Sequence, residues 1–226
     1  MSRRIHKVHH ETLTFASADD LASAAAGFVA EYARRCVAAQ GAFSFAVSGG
    51  ITPRGMFAEL LERDVPWEQT VIYQVDERVA PPGDPERNLT NLVDTFARVS
   101  ATIEPMPVND DDLDDAAARY AARLPLRLDL VHLGLGADGH TASLVPGDPV
   151  LDADDQHVVA ATGEYQGHRR MTFTYHALAR ADQLLWLVTG WGKHDALSKL
   201  LSGDVSIPAG RVWASRSLVM ADRAAR

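Results

Sequence analysis

A single cysteine, Cys36, occurs in 226 residues, so no intrachain disulfide can form. An unpaired thiol suits a reducing compartment, and a cytoplasmic location is expected. No run of apolar residues approaches the ~18 that a transmembrane helix requires. The most apolar stretch, 184–188, has the length of a strand and stops at Thr189-Gly190. The first ten residues carry Arg3, Arg4 and Lys7 with no apolar segment behind them, so no secretory leader is expected. Positive charge is also scarce: 22 Lys and Arg stand against 30 Asp and Glu, a net charge of −8. A general nucleic-acid binder needs a basic face, and this composition disfavours one. A small anionic ligand, which needs only a few local cations, stays compatible.

Several chemical motifs are missing as well. Without a Gly-x-Ser-x-Gly elbow, a serine esterase of the α/β-hydrolase type is disfavoured. Without His-Glu-x-x-His or Cys-x-x-Cys, no zinc site is recognisable, and no metal is expected. His6, His9 and His10 at the amino end are weak ligand candidates. The run Asp110, Asp111, Asp112, Asp114 and Asp115 lacks the glycine and closing glutamate of a calcium loop. Lying just before 116–124, it reads as a solvated helix start, with carboxylates at the positive end of the helix dipole.

What is present is a globular composition, 46% hydrophobic and 23% charged, in a chain of the length of one large domain, 1–226. Apolar runs at 12–16, 42–47, 70–75, 128–133, 171–175 and 183–188 read as strands, with a further short one at 212–215. Between them, Ser17 reads as the N-cap of a helix. Its apolar face is Leu21, Ala25, Phe28, Tyr32, Cys36 and Ala39, and Gly41 ends it. Cys36 on that face reads as a packed thiol. Thr52 as N-cap and Pro53 behind it open a second helix. Helices are also expected at 88–97, 116–124 and 193–201. Alternation of near-continuously apolar strands with amphipathic helices predicts a doubly wound α/β fold, a mostly parallel sheet with helices on both faces.

Such folds bind ligands at the carboxyl ends of their strands. Four unusual segments follow strands here. Ser48-Gly49-Gly50-Ile51-Thr52-Pro53 is a glycine turn running into a helix, a place where backbone N–H groups and the helix dipole can hold an anion. It is neither a P-loop nor a dinucleotide fingerprint. Gly134-Leu135-Gly136-Ala137-Asp138-Gly139-His140 sets an imidazole at a strand mouth, a position for a general base. Asp76-Glu77-Arg78 places three charges after an apolar strand. Arg170 and Lys193 each add a cation beside a strand end.

Together these segments resemble the 6-phosphogluconolactonase family. The residues that carry the resemblance are the 48–53 turn, Asp76-Glu77-Arg78 with Asn88, and Leu133 through Leu144 with its Asp138-Gly139-His140-Thr141-Ala142-Ser143. Arg170-Met171-Thr172-Phe173-Thr174, Gly190 with Lys193, and Pro208-Ala209 complete it. The resemblance implies a fold similar to glucosamine-6-phosphate deaminases and no cofactor. It implies hydrolysis of 6-phospho-D-glucono-1,5-lactone in the pentose phosphate pathway, by a monomer or homodimer. His140 matches the general base. Ser48, Gly49, Gly50, Thr52, Arg170 and Lys193 match phosphate-binding positions, and Asp76 and Arg78 a charged pair near the lactone. Either Asp138 or Asp76 is a candidate to orient the imidazole, and Arg78 or backbone N–H groups to receive the oxyanion. Arg87, Val145 and Ala179 depart from the family's habit. A deaminase is the nearest rival, disfavoured because Leu144-Val145-Pro146 offers no carboxylate after the histidine. A non-catalytic sugar-phosphate sensor is the other alternative.

Overall fold

The computed structural model describes residues 9–154 and 156–226. His6, with Arg3, Arg4 and Lys7, lies outside them. The strands are β1 (His10–Phe15), β2 (Phe43–Val47), β3 (Thr70–Gln74), β4 (Asp76–Arg78), β5 (Thr102–Glu104), β6 (Leu128–Gly134), β7 (Val159–Ala161), β8 (Arg170–Phe173), β9 (Ala181–Val188) and β10 (Ser217–Asp222). The helices are α1 (Ala18–Gln40), α2 (Thr52–Leu61), α3 (Asn88–Phe96), α4 (Leu113–Ala121), α5 (Tyr175–Leu178) and α6 (His194–Ser202).

Seven strands form one sheet in the order β1-β10-β9-β6-β2-β3-β5, and every neighbouring pair is parallel. The chain leaves β2 toward β3 on one side and leaves β6 toward β9 on the other. The adjacent carboxyl ends of β2 and β6 therefore flank a switch point, where the two following loops diverge and open a crevice. Side chains alternate across the sheet. Phe43, Phe45 and Val47 pack with Leu21, Val29, Met56 and Leu92 of α1, α2 and α3. Ala46, Val131 and Leu133 face Tyr120, Leu197 and Leu200 of α4 and α6. Burial on both faces is why these strands read as continuous apolar runs rather than as alternating ones.

Some expectations need correcting. Residues 170–173 do not extend the parallel sheet: β8 lies between β4 and β7 in a separate antiparallel sheet of three strands. Asp76-Glu77-Arg78, which follows an apolar strand, itself forms the edge strand β4 of that sheet, with Asp76 and Glu77 buried. Residues 212–215 form no strand, because Val212 only closes the 3-10 turn Pro208–Arg211; the last strand starts at Ser217. Ser17 caps α1 by accepting from the Asp20 N–H, and Gly41 closes it in the left-handed conformation. Thr52, expected as a cap, is the first residue of α2, and its hydroxyl meets that of Thr189 at 3.1 Å instead. The acidic run does start a helix: Asp112 caps α4, accepting from the N–H groups of Asp114 and Asp115. Cys36 packs against the α1 side of the core, and burial pushes its thiol up to about 11, which suits a packed group. His10 sits on β1, its Nδ1 2.8 Å from the Ser217 hydroxyl. Among the described residues, no helix is long and apolar enough to cross a membrane.

Candidate active site

A cleft of about 540 Å³ opens at the switch point. Ser48, Gly49, Gly50, Thr52, Asp76, Arg78, His140, Arg170 and Lys193 all line it. Asp138 stands behind His140. A second cleft, of about 650 Å³ around Leu151, Tyr175 and Arg211, holds none of these residues.

The turn after β2 is held from below. His132, fully buried on β6, accepts from the Ser48 N–H at Nδ1 (3.4 Å), and its carbonyl accepts from the Ser48 hydroxyl (3.2 Å). Burial drives the His132 pKa down to about 3, so its ring is a neutral acceptor. Both Ser48 donors are thus engaged, and the sequence's grouping of Ser48 with the anion-binding donors needs revising: it anchors the turn. Among the described residues, the N–H groups of Gly49, Gly50, Ile51 and Thr52 meet no acceptor and stay free at the start of α2. Gly49 is required by close approach, since a Cβ there would come within 1.9 Å of the Asn88 amide oxygen.

The turn after β6 folds back on itself through Gly136 N–H donating to the His140 carbonyl. His140 Nδ1 lies 2.6 Å from Asp138 Oδ1, and the same carboxylate oxygen accepts from the His140 N–H. The imidazole partner left open by the sequence is therefore Asp138 rather than Asp76. Burial works against the Asp138 carboxylate, but the hydrogen bonds and charge of His140, with the Tyr165 hydroxyl, outweigh it and hold its pKa below the ordinary value. A Cβ on Gly136 would fall 2.1 Å from His140 Nδ1, so the ring's seat depends on that glycine.

Asp76 belongs to a second group. Its Oδ2 accepts from the Ser143 hydroxyl at 2.6 Å and lies 4.0 Å from Arg170 Nη1. The Asn88 amide donates to its carbonyl (2.9 Å) and to Oδ1 (3.3 Å). Burial pushes the Asp76 carboxyl above the ordinary range, against the pull of Ser143 and Arg170. Arg170 lines the cleft yet is only 5% exposed, and its fully buried Nε has no hydrogen-bond partner. Burial lowers its pKa, with Asp76 opposing.

Glu77, which the sequence marked only as part of the Asp76-Glu77-Arg78 segment and to which it gave no role of its own, organises the neighbourhood from complete burial. Its carboxylate accepts from the N–H groups of Arg78, Asn88 and Leu89 and from the Gln74 amide. A carboxylate at the start of α3 suits the helix dipole, and it sets the entry of both Arg78 and Asn88 into the cleft. Arg78 Nη1 donates to the Glu86 carbonyl at 2.6 Å. Lys193 is carried by the 3-10 turn Trp191–Lys193 after β9, which Asp222 of β10 steadies by accepting from the Gly190 N–H. No acidic side chain pairs with Lys193 among the described residues. Nor, among them, do three or more His, Cys, Asp or Glu gather as a metal-ion donor set.

The glycine turns, the Asp-Glu-Arg strand and the imidazole at the sheet mouth stand in one order along the chain, and that order is matched over residues 16–220 by the family model for glucosamine-6-phosphate isomerases/6-phosphogluconolactonase. The chain belongs to this family. A relative named 6-phosphogluconolactonase from Rhizobium meliloti (strain 1021) is 34% identical over 202 residues, covering 84% of this chain and 87% of the relative. A crystal structure of a 6-phosphogluconolactonase from Shewanella baltica OS155 shares the fold, with a TM-score of 0.85 and 23% identity over 96% of this chain and 99% of that one. A monomeric glucosamine-6-phosphate deaminase does so too, with a TM-score of 0.81 and 20% identity over 95% and 98% of the two chains. Of the three departures from the family's habit, none lines the cleft. Val145 is buried, Ala179 ends α5, and Arg87 is buried with its Nε 3.5 Å from Glu77 and its Nη1 donating to Asn109.

Proposed function

We propose that this protein hydrolyses 6-phospho-D-glucono-1,5-lactone to 6-phosphogluconate. The observation that carries the reading is the shared cleft: a histidine with its Nδ1 on a carboxylate faces the same space as unpaired N–H groups, a largely buried arginine and a lysine. With Nδ1–H donating to Asp138, the lone pair of the neutral imidazole sits on Nε2. That nitrogen takes a proton from water as the water attacks the lactone carbonyl. The oxyanion that forms needs donors, and Arg78, with its remaining guanidinium N–H groups, is the candidate beside the strand end. The ring oxygen then leaves, and the proton held on His140 passes to it. The free N–H groups of Gly49 to Thr52, Lys193 and the guanidinium of Arg170 receive the phosphate, whose binding energy locates the carbonyl beside His140.

The test is acid release from freshly made 6-phosphogluconolactone, corrected for spontaneous hydrolysis, alongside ammonia release from glucosamine 6-phosphate. Acid release well above background with no ammonia is expected. Ammonia without acid would move the protein to the deaminase branch of its family.

A further inference from the structure

The segment 163–168, between β7 and β8, belongs to none of the motifs that carry the family resemblance, yet it packs against His140 and Arg170, two residues that line the cleft. Tyr165 and His168 exchange backbone hydrogen bonds, and Gln166 and Gly167 both have positive φ (51° and 81°), the geometry of a two-residue hairpin turn. The turn is tied down at its far end, where His168 Nε2 lies 2.8 Å from a Glu86 carboxylate oxygen. That is the residue whose carbonyl accepts from Arg78.

At the near end, one side chain meets both groups of the site. The Tyr165 hydroxyl donates to Asp138 Oδ2 at 3.1 Å, the oxygen that His140 does not use. The edge of its ring meets the His140 imidazole, with centroids 5.6 Å apart. The Arg170 guanidinium lies over the same ring, 5.2 Å from its centroid, and Nη2 donates to the Tyr165 carbonyl at 3.5 Å. Burial and the Asp138 charge push the phenol's pKa upward, so near neutral pH the hydroxyl keeps the proton it donates.

We propose that Tyr165 is a positioning residue that joins the two halves of the site, its hydroxyl fixing the Asp138–His140 pair and its ring backing the Arg170 guanidinium. A carboxylate held at one oxygen only can swing about its side-chain torsion and take the imidazole with it; a second bond at the other oxygen removes that freedom. A guanidinium stacked on a ring keeps its plane, and so keeps the orientation in which Arg170 lines the cleft. The two functions lie on different atoms of one residue and separate by substitution. The kinetic part of the test rests on the hydrolase reading above; the spectroscopic and binding parts do not.

Tyr165→Phe removes the hydroxyl and keeps the ring. It should lower kcat on 6-phosphogluconolactone roughly tenfold with KM within about twofold of wild type. It should also move the hydrogen-bonded ring N–H proton resonance of His140, while leaving inorganic phosphate affinity unchanged. Tyr165→Ala should show the same kcat loss and resonance change and, in addition, bind inorganic phosphate about 2–5-fold more weakly. An unmoved His140 resonance in Tyr165→Phe would overturn the hydroxyl's part. Equal phosphate affinities in the Phe and Ala variants would overturn the ring's part. If wild-type protein hydrolyses no lactone, the hydrolase reading fails, and the resonance and phosphate measurements still decide the role of Tyr165.

Discussion

His140 and Asp138 are two residues apart and their side chains are 28% and 38% exposed, whereas Asp76 and Arg170, across the same cleft, come from distant segments and are only 8% and 6% exposed. One pair is a local turn product, built by one glycine-rich loop on the rim of a parallel sheet. The other is assembled by the small antiparallel sheet that lays β4 against β8. The difference predicts a division of labour. A rim pair in contact with solvent can change protonation without straining the fold. A sealed pair is coupled to packing, so any change in it is felt in stability as well as in binding.

The most forceful test of that division is His140→Ala. It should lower kcat by about 10²–10⁴ while shifting unfolding free energy by no more than about 0.5 kcal/mol, read by acid release and by urea titration. A large loss of stability would show that the rim pair also serves the fold. On the sealed side, Asp76→Ala leaves the Arg170 guanidinium buried without its carboxylate and the Ser143 hydroxyl without its acceptor. Unfolding free energy should fall by about 3–5 kcal/mol, and a variant as stable as wild type would break the comparison.

The cations sharpen it further. Sequence reasoning treats Arg170 and Lys193 alike, but only Lys193 is free of an ion pair among the described residues. Lys193→Ala should cost about 10–100-fold in kcat/KM on the phosphorylated lactone, chiefly through KM, with no loss on unphosphorylated gluconolactone and no loss of stability. Arg170→Ala should lower both kcat/KM and the melting temperature, because it strands Asp76. Matching behaviour of the two variants in thermal unfolding would contradict the structural distinction between them.

The smallest expected effect is in pH dependence, where the two carboxylates have opposite signs. The Asp138 pKa lies below its unfolded value, so its contribution to stability is complete above about pH 4 and is lost as pH falls through the folded pKa. The Asp76 pKa lies above its unfolded value, so its ionisation opposes folding as pH rises from about 4 through the folded pKa. Relative to Asp138→Asn, wild type should therefore gain stability with rising pH, by less than about 1 kcal/mol given the exposure of that pair. Relative to Asp76→Asn, it should lose stability with rising pH. Urea titrations across pH 3–7 on both variants read the two slopes, and slopes of the same sign would defeat the assignment of their environments.

Local signals in the chain determined most of the elements and the rim. Ser17 and Gly41 bracket α1 because a side-chain oxygen and a left-handed glycine satisfy the helix ends without help from the rest of the molecule. His140 and Asp138 were legible for the same reason: two residues apart, they meet through a turn that their own glycines permit. Strands shielded on both faces announced themselves as apolar runs. Only the tertiary structure decided the rest. The short strands β4 and β7 are too brief for periodicity to mark, and although the 171–175 run reads as a strand, its pairing with them is a long-range choice. The same choice put Arg170 in an antiparallel sheet, gave Asp76 to Ser143 rather than to the imidazole, and turned Glu77 inward to receive the start of α3. Tyr165 carried no signal at all, since the partners of its hydroxyl and ring edge, Asp138 and His140, lie in the loop after β6 and only the fold brings that loop beside the 165–168 turn. What neighbouring residues can satisfy alone is written locally; what needs a partner from a distant segment waits for the fold, because only packing sets which buried groups meet.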